Sequence, residues 1–196
     1  MEHNIFLDVL SSLQRLFVGY IPAAILGGFI GYLIGINGTI YQICRRIFQI
    51  PHSVPPIALL PIALIIFQES EAAIAIVIFT ATLWTMIVNT AIGMRHFYRQ
   101  YNHFRAAIFH TFHALKVSIW VAWFTVIAVE MLVGTKGLGS LAWDAYKASN
   151  INYIIQAIIY IGVIGSLLDQ LLDLSGYLLV QFVSASKKSA QENSKK

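Results

Sequence analysis

The chain contains several apolar runs that are long enough to cross a lipid bilayer. A transmembrane helix needs about 20 consecutive, mostly apolar residues. Runs of this kind occupy residues 16–36, 72–92, 117–133 and 153–172, and a shorter, proline-rich run occupies residues 53–67. None of them alternates apolar and polar residues as a half-buried strand does. The sequence therefore predicts an all-α, polytopic membrane protein with about five transmembrane helices.

The composition leads to the same class. Of 196 residues, 58% are hydrophobic and 11% are charged. Soluble domains carry about 25% charged residues, so this chain has too few to cover a folded surface in water. Cys44 is its one cysteine, which excludes an internal disulfide and a thiolate metal cluster. The basic excess, 13 Lys and Arg against 9 Asp and Glu, indicates membrane orientation rather than nucleic-acid binding.

Three regions are expected along the chain. Residues 1–15 mix polar residues with leucines at every third position, a spacing that predicts an interfacial amphipathic segment. Residues 16–183 are expected to form a transmembrane, permease-like domain. Residues 184–196 are rich in lysine and serine, a composition typical of a disordered basic and polar tail.

Gly27, Gly31 and Gly35 recur at every fourth position of the first apolar run. Glycines at this spacing lie on one face of a helix and let a second helix approach closely inside a membrane. The stripe therefore predicts helix packing. The alternative is the ordinary glycine richness of transmembrane helices, in which case the stripe has no dedicated partner.

Pro55, Pro56 and Pro61 interrupt the second run. An internal proline removes a backbone donor, and a broken helix is tolerated at membrane depth only where it packs on protein or borders a wet cavity. We therefore expect a kinked span beside a translocation path or gate, to which Asn89 and Glu130 are also assigned. Alternatively, the prolines begin a helix, which accounts for Pro55 and Pro56 but not for Pro61. Asn89 is further expected to hydrogen-bond to a neighbouring helix.

A glycine-rich block follows the fourth run. Glu130 lies near the end of that run, and Gly134, Gly137 and Gly139 follow it. A carboxylate at the end of a span is costly unless it lies in the interface or lines a protein cavity. The glycines allow the backbone to reverse sharply. Glu130 is therefore expected to hold this turn by accepting backbone N–H bonds, in a structural or gating role.

Basic residues are distributed unevenly when alternate polar segments are placed on the same side of a membrane. One side collects the lysines of the tail together with Arg45, Arg46, Arg95, Arg99 and Arg105. The other side has Arg15, Lys136 and Lys147. The positive-inside rule makes the first side cytosolic. Five spans then place the N-terminus outside and the C-terminus inside.

The remaining candidate sites are weak. Four histidines would share one face of a continuous helix: His96, His103, His110 and His113. They have no acidic or thiolate ligand close in sequence, so interfacial histidines are the better interpretation and no metal site is expected. Asp169 and Asp173 would repel each other at their spacing, which favours a solvated or basic-partnered helix end. The sequence has no GxxxxGK[ST] motif. We expect neither enzymatic activity nor a cofactor.

The proline-rich block at residues 53–61 and the glycine-rich block at residues 130–144 together carry a family resemblance. They resemble the permease of an ABC importer, in the branch that carries nitrate, bicarbonate, cyanate or sulfonates, and the similarity extends over residues 10–172. The resemblance implies a type I importer permease fold and import of a small anion, with nitrate as the first candidate. ATP hydrolysis would then belong to a separate subunit.

The same resemblance implies partners and a location. It calls for a second permease subunit in a homodimer or heterodimer, an ATP-binding subunit, a solute-binding protein and membrane lipid, but no nucleic acid. The membrane would be a bacterial, cyanobacterial-like inner membrane or a plastid membrane.

Two departures from the family pattern stand out. These permeases usually have a further N-terminal span, which is expected to be missing here. Their cytosolic coupling loop opens on a Glu-Ala-Ala-like stretch and continues to a glycine and a Leu-Pro pair. Here Arg105, Ala106 and Ala107 match the opening, but neither the glycine nor the Leu-Pro pair follows. Arg95, Arg99 and that opening would then form the surface that docks the ATPase. The alternative is a non-transporting assembly or interaction subunit derived from a degenerate permease.

Overall fold

A computed structural model describes residues 4–48, 54–99 and 104–193. Every regular element in these ranges is helical. The helices are α1 (Ile5–Ile36), α2 (Gly38–Ile47), a 3₁₀ turn (Pro56–Leu59), α3 (Leu60–Phe67), α4 (Ser70–Arg99), α5 (Phe104–Val133), α6 (Leu138–Lys147) and α7 (Ile151–Asn193). By length and composition, four helices in the described ranges can cross a membrane: α1, α4, α5 and α7.

Helices α1 and α4 lie side by side and run in the same direction. A Cβ added to Gly27 would lie 2.9 Å from the Leu83 carbonyl oxygen, and one added to Gly35 would lie 2.5 Å from Met94 Cβ. Successive positions of α1 therefore meet successive positions of α4. Because the two helices are parallel, the chain between them must return along the whole bundle before α4 begins.

That return is made in two pieces. Helix α2 starts beside Arg95 and ends near Trp84, whose ring meets the Phe48 ring edge-on at 5.9 Å. The 3₁₀ turn and α3 then lead to α4. The predicted kinked span at residues 53–67 is thus a short broken element, Pro56–Phe67, and residue 53 lies outside the described range.

The break in this element lies at Leu59 and Leu60, where the 3₁₀ turn ends and α3 begins. Pro56 is in the first turn of the 3₁₀ piece and Pro61 in the first turn of α3. Proline is favourable at such positions because the first N–H groups of a helix have no internal partner. The helix-start interpretation therefore accounts for Pro61 as well, contrary to our expectation from the sequence.

The N-terminal region is the first part of a longer helix, and its interfacial location stays a prediction. Helix α1 is continuous from Ile5 to Ile36, without a break at residue 15. Its first turns bury Asp8, Ser12 and Arg15, while Leu7 and Leu10 are exposed. Asp8, Ser12 and Arg15 turn towards the bundle because they have hydrogen-bonding partners there.

Helices α5 and α7 complete the bundle. Helix α5 runs antiparallel to α4, with Ser118 beside Met86, and α7 runs antiparallel to α5. Lys116 on α5 pairs with Asp169 at 3.1 Å and with Asp173 at 2.8 Å. The prediction of a basic partner for these carboxylates is confirmed. The largest core side chains include Leu16, Ile74, Ile78, Val126 and Leu138.

The C-terminal region also differs from its prediction. Helix α7 continues to Asn193, so most of the expected disordered tail, residues 184–196, has a helical backbone. Extending an existing helix avoids the cost of nucleation, and alanine, lysine, glutamine and glutamate all have good helix propensity. Residues 194–196 lie outside the described range.

Candidate functional site

Glu130 lies in the last turn of α5 and is fully buried. Helix α5 ends at Val133, and Gly134 follows in a left-handed conformation with φ 72°, its N–H bonded to the Glu130 carbonyl oxygen. The chain then turns into α6. The glycine cap reverses the backbone so that the start of α6 comes back over the Glu130 side chain.

Three donors surround the Glu130 carboxylate. The Ser12 hydroxyl lies 2.9 Å from each carboxylate oxygen, and Arg15 Nη1 donates to Oε1 at 2.9 Å. The Gly139 N–H donates to Oε2 at 3.0 Å. This is the backbone bond expected of Glu130 from the sequence. A gating role for Glu130 stays a prediction.

Arg15 links its own helix to three other parts of the molecule. Its Nε and Nη2 atoms donate to the Glu71 carboxylate at 2.8 and 2.5 Å, and Nη1 also donates to the Lys136 carbonyl oxygen. The guanidinium group therefore holds α1, α4, α5 and the turn before α6 together. A planar guanidinium is suited to this task because its donors form a rigid fork.

Two further bonds fix the turn to α1. The Gly137 N–H donates to Asp8 Oδ1 at 3.2 Å, and the Leu138 N–H donates to the Ser12 hydroxyl at 2.9 Å. The N–H groups at a helix start have no partner within the helix. Here α1 supplies those partners. We call Ser12, Arg15, Glu71 and Glu130, with the turn at residues 137–139, the Glu130 cluster.

The glycines of this turn leave room for the carboxylate. A Cβ on Gly137 would lie 2.3 Å from the Glu130 carboxylate, and its φ of 145° also disfavours a side chain. A Cβ on Gly139 would lie 2.2 Å from the Ile127 carbonyl oxygen. The close approach of α6 to α5 therefore requires glycine at both positions.

The arrangement is that of a structural clamp. A buried polar network whose groups are all paired is rigid, whereas an unpaired member would be costly. Glu130 accepts hydrogen bonds from three groups, and one guanidinium is shared between two carboxylates. An open cavity of about 570 Å³ lies beside the cluster, lined by Ser11, Arg15, Glu71, Thr135 and Lys136, among others.

Four members of this site were not assigned from the sequence. Arg15 was counted only as an orientation charge, and Asp8, Ser12 and Glu71 were given no role. A signal was present: Asp8, Ser12 and Arg15 are spaced by four and three residues, which places them on one helical face. A polar stripe at the start of a membrane helix indicates a protein partner.

The other predicted path residues do not converge on Glu130. Asn89 donates to the Thr85 carbonyl oxygen of its own helix at 2.8 Å, so the predicted bond to a neighbouring helix is wrong. Thr85 precedes it by one turn, and this local acceptor satisfies the amide. Pro55 and Pro61 are exposed.

The glycine stripe lies against α4, so the expected close helix contact is present. A Cβ on Gly31 would lie 2.7 Å from both the Ile87 carbonyl oxygen and Thr90 Cβ. Gly27 contacts α4 one turn before the Gly31 contact, and Gly35 contacts it one turn after. All three contacts include backbone atoms of α4, which cannot move aside as a side chain can.

The predicted coupling residues lie at the opposite end of the bundle. Arg95 lies beside Gly38 and over the Tyr41 ring, 6.0 Å from its centroid. Arg99, Arg105, Ala106 and Ala107 have helical backbones, and their side chains lie outside the described set.

The histidines form no metal centre among the described residues. The His96 and His110 rings stack at 6.4 Å, and His103 falls outside the described range. No group of three or more histidine, cysteine, aspartate or glutamate side chains is arranged to hold a metal ion in the part of the chain that was searched.

The apolar helices and their buried polar clamp define an integral, polytopic helical membrane protein. No family model matches the chain. It is 37% identical over 187 residues to the nitrate import permease protein NrtB of Leptolyngbya laminosa, covering 87% of this chain and 67% of that protein.

Two further relatives are similar over the same extent. The nitrate import permease protein NrtB of Synechocystis sp. is 35% identical, with 86% of this chain and 68% of that protein covered. The bicarbonate transport system permease protein CmpB of Synechococcus elongatus is 33% identical, with 87% and 68% covered. The chain thus spans about two thirds of the length of these relatives. It belongs to the family of ABC importer permeases of the nitrate and bicarbonate type.

Proposed function

We propose that this chain is the transmembrane permease subunit of an ABC importer for a small anion, with nitrate as the first candidate and bicarbonate as the second. It carries out no catalysis itself. A separate ATP-binding subunit hydrolyses ATP, a solute-binding protein delivers the anion, and a second permease subunit completes the path. The membrane is a bacterial inner membrane or its plastid counterpart.

The observation that carries this proposal is the 37% identity to a nitrate import permease over 87% of the chain. The identity to a bicarbonate permease is 33% over the same share and that to another nitrate permease is 32%, so identity alone does not separate the two anions. The helical bundle supports the proposal because its parallel α1 and α4 require a broken return segment. Such segments are tolerated in membranes where they line a path.

Uptake measurements test the substrate. The chain is expressed with its genomic ATP-binding and solute-binding partners in cells that lack their own nitrate permease. We expect ATP-dependent accumulation of ¹⁵N-labelled nitrate, with bicarbonate competing weakly. Uptake of labelled bicarbonate that nitrate does not inhibit would assign the other anion. Absence of both activities, with the complex assembled, would contradict the permease proposal.

One structural feature favours the alternative, a non-transporting assembly subunit. Helix α4 extends to Arg99 and α5 begins at Phe104, which leaves residues 100–103 as the connection. A separate coupling helix cannot fit in so short a segment. Any ATPase must therefore dock on the helix ends themselves, where Arg95, Arg99 and Arg105 lie.

Charge reversal separates the two functions. We expect Arg99→Glu with Arg105→Glu to abolish co-purification and crosslinking of the ATP-binding subunit. Lys147→Glu, at the opposite end of the bundle, is the matched control and should leave the complex intact. If the unmodified chain captures no ATP-binding subunit anywhere along residues 95–107, the transport proposal fails and the assembly subunit replaces it.

A further inference from the structure

Helix α2 is seated on both α1 and α4. A single residue, Asn37, separates α2 from α1, and its side chain caps α2 by accepting from two backbone N–H groups at 3.1 and 3.3 Å. Tyr41, Cys44 and Phe48 pack in one apolar cluster with residues of α1 and α4. Because α2 is held at its start and along one face, a displacement of α2 would displace both long helices.

The opposite side of α2 is exposed and carries an apolar stripe. Ile40, Ile43 and Ile47 are all exposed, and their spacing of three and four residues puts them on one face of the helix. Thr39 and Arg46, also exposed, border the stripe on its polar side. Apolar residues at i, i+3 and i+7 are the anchors with which an amphipathic helix occupies an apolar groove of another protein.

Charged groups on α5 and α7 show the level at which the apolar part of the bundle ends. Lys116 of α5 pairs with two aspartates of α7. Ser118, two residues from Lys116, lies beside Met86 of α4. Arg95 is nine residues beyond Met86, about 14 Å at 1.5 Å per residue. The last turns of α4 therefore extend past the ion pairs, on the side that the positive-inside rule assigns to the cytosol.

Helix α2 lies along these last turns of α4. Gly38 lies beside the Arg95 guanidinium, and the Phe48 ring meets the Trp84 ring at 5.9 Å, so α2 follows α4 rather than crossing its end. An amphipathic helix that binds a lipid surface lies in the plane of the interface. Because α2 follows a membrane-crossing helix instead, a lipid surface would contact only part of the stripe. A protein groove can cover the whole of it.

We propose that α2 is the docking helix for the ATP-binding subunit, with the isoleucine stripe in an apolar groove of that subunit. This inference rests on the proposed function, because the partner is the ATPase of the importer. Only residues 100–103 connect α4 to α5, which leaves no room for a separate docking helix there. Arg95 lies at the same end and contacts α2, so the docking surface extends onto α2. Its seat on α1 and α4 carries movement of the partner into both helices.

Photo-crosslinking identifies what covers the stripe. The full chain carries p-benzoylphenylalanine in place of Ile43 and is co-expressed with its ATP-binding subunit. Ile43 is 61% exposed, and Ile25, 67% exposed on α1, is the matched control. We expect the Ile43 position to capture the ATP-binding subunit in at least tenfold higher yield than the Ile25 position. If the Ile43 position captures lipid or a second copy of this chain, while the Arg99 position captures the ATP-binding subunit, the inference is overturned.

Substitution tests whether the stripe contributes to binding. Ile43→Glu should lower co-purification of the ATP-binding subunit at least tenfold, because a carboxylate in an apolar groove is costly unless it is paired. Gln42→Glu adds the same charge on a face away from the stripe and should leave the complex intact. Ile43→Ala removes the anchor without adding charge and should lower co-purification at least threefold. Unchanged capture by both Ile43 variants, or equal losses in Ile43→Glu and Gln42→Glu, would refute docking through the stripe.

These outcomes distinguish the inference from the proposed function. Capture that depends on Arg99 and Arg105 but not on Ile43 would overturn the inference and leave the proposed function standing. Capture that depends on Ile43 in a complex without anion uptake would support the inference and contradict the proposed function. Size-exclusion chromatography of each variant shows that it is folded before either result is interpreted.

Discussion

At the scale of single residues, the carboxylate of Glu130 is the centre of a buried polar network. It is fully buried, yet Ser12, Arg15 and the Gly139 N–H all donate to it. Burying a charge is costly unless it is paired and hydrogen-bonded. The contribution of Glu130 to the stability of the fold is therefore measured by substituting one member of the network at a time.

Glu130→Gln should destabilise the fold by about 1–3 kcal/mol, the usual cost of leaving a buried polar group without its partner. The glutamine N–H groups would face Ser12, Arg15 and the Gly139 N–H, which donate to the carboxylate in the native protein. Glu71→Gln is the control because the Glu71 side chain is 56% exposed, and its effect should be under about 1 kcal/mol. Thermal denaturation in detergent, followed by size-exclusion chromatography, measures both. Equal midpoints for the two variants would contradict a clamp centred on Glu130.

Gly139→Ala should also destabilise the fold, by about 1–3 kcal/mol, because its Cβ would collide with the Ile127 carbonyl oxygen. Gly162→Ala is the matched control. It has nothing within 4 Å of an added Cβ and lies inside α7, where alanine is the better helix former. Detergent stability should fall for the first variant and hold or rise for the second. The reverse order would show that α6 does not approach α5 this closely.

At the scale of helices, the contact between α1 and α4 organises the bundle. The glycine stripe lets the backbones of these parallel helices approach, and Gly31 meets both the Ile87 carbonyl oxygen and Thr90. Close backbone contact contributes van der Waals packing and weak Cα–H···O bonds of about 0.5–1 kcal/mol each. The stripe therefore acts through backbone proximity rather than through a side chain.

Gly31→Ala should lower expression and detergent stability, and Gly31→Leu should lower them further, because the obstructing atoms belong to the α4 backbone. Gly28→Ala is the control on the same helix, since its Cβ would meet only the terminal methyl of Met86 at 3.3 Å. Fluorescence-detected size-exclusion chromatography compares the three variants. If Gly31→Leu elutes as a stable, monodisperse protein, α1 does not pack on α4 through this stripe.

At the scale of the whole molecule, the direction of each helix determines how often the chain crosses the membrane. Parallel α1 and α4 require a return, which α2 and the Pro56–Phe67 element provide together. Helices α5 and α7 then cross in alternate directions. The described residues contain four helices long enough to cross a membrane and one shorter apolar element, Pro56–Phe67, and the five crossings expected from the distribution of basic residues stay a prediction.

Cysteine labelling checks this arrangement. In the Cys44→Ala background, an impermeant thiol reagent should label Lys136→Cys from outside the cell and His96→Cys only after the membrane is opened. The physical reason is that these positions lie at opposite ends of the bundle, and the arginine-rich end faces the cytosol. Labelling of both positions from the same side would contradict the topology.

The sequence alone determined the class of the protein and the location of its long apolar helices, though not where α1 begins or α7 ends. Twenty-residue apolar runs have few alternatives to membrane spans, and glycines at every fourth position predict close helix packing wherever the partner lies. The block from Glu130 to Gly139 also predicted a carboxylate bonded to the turn, because both groups are local in the chain.

Only the tertiary structure decided which residues complete the clamp and where α2 lies. Ser12, Arg15 and Glu71 are distant from Glu130 in sequence, and no periodicity relates the start of one helix to the end of another. From the sequence, the basic residues of α2 served only to orient the chain, and contacts with Arg95 and Trp84 placed this helix along α4. Hydropathy depends on single segments, whereas ion pairing and depth depend on which segments lie side by side.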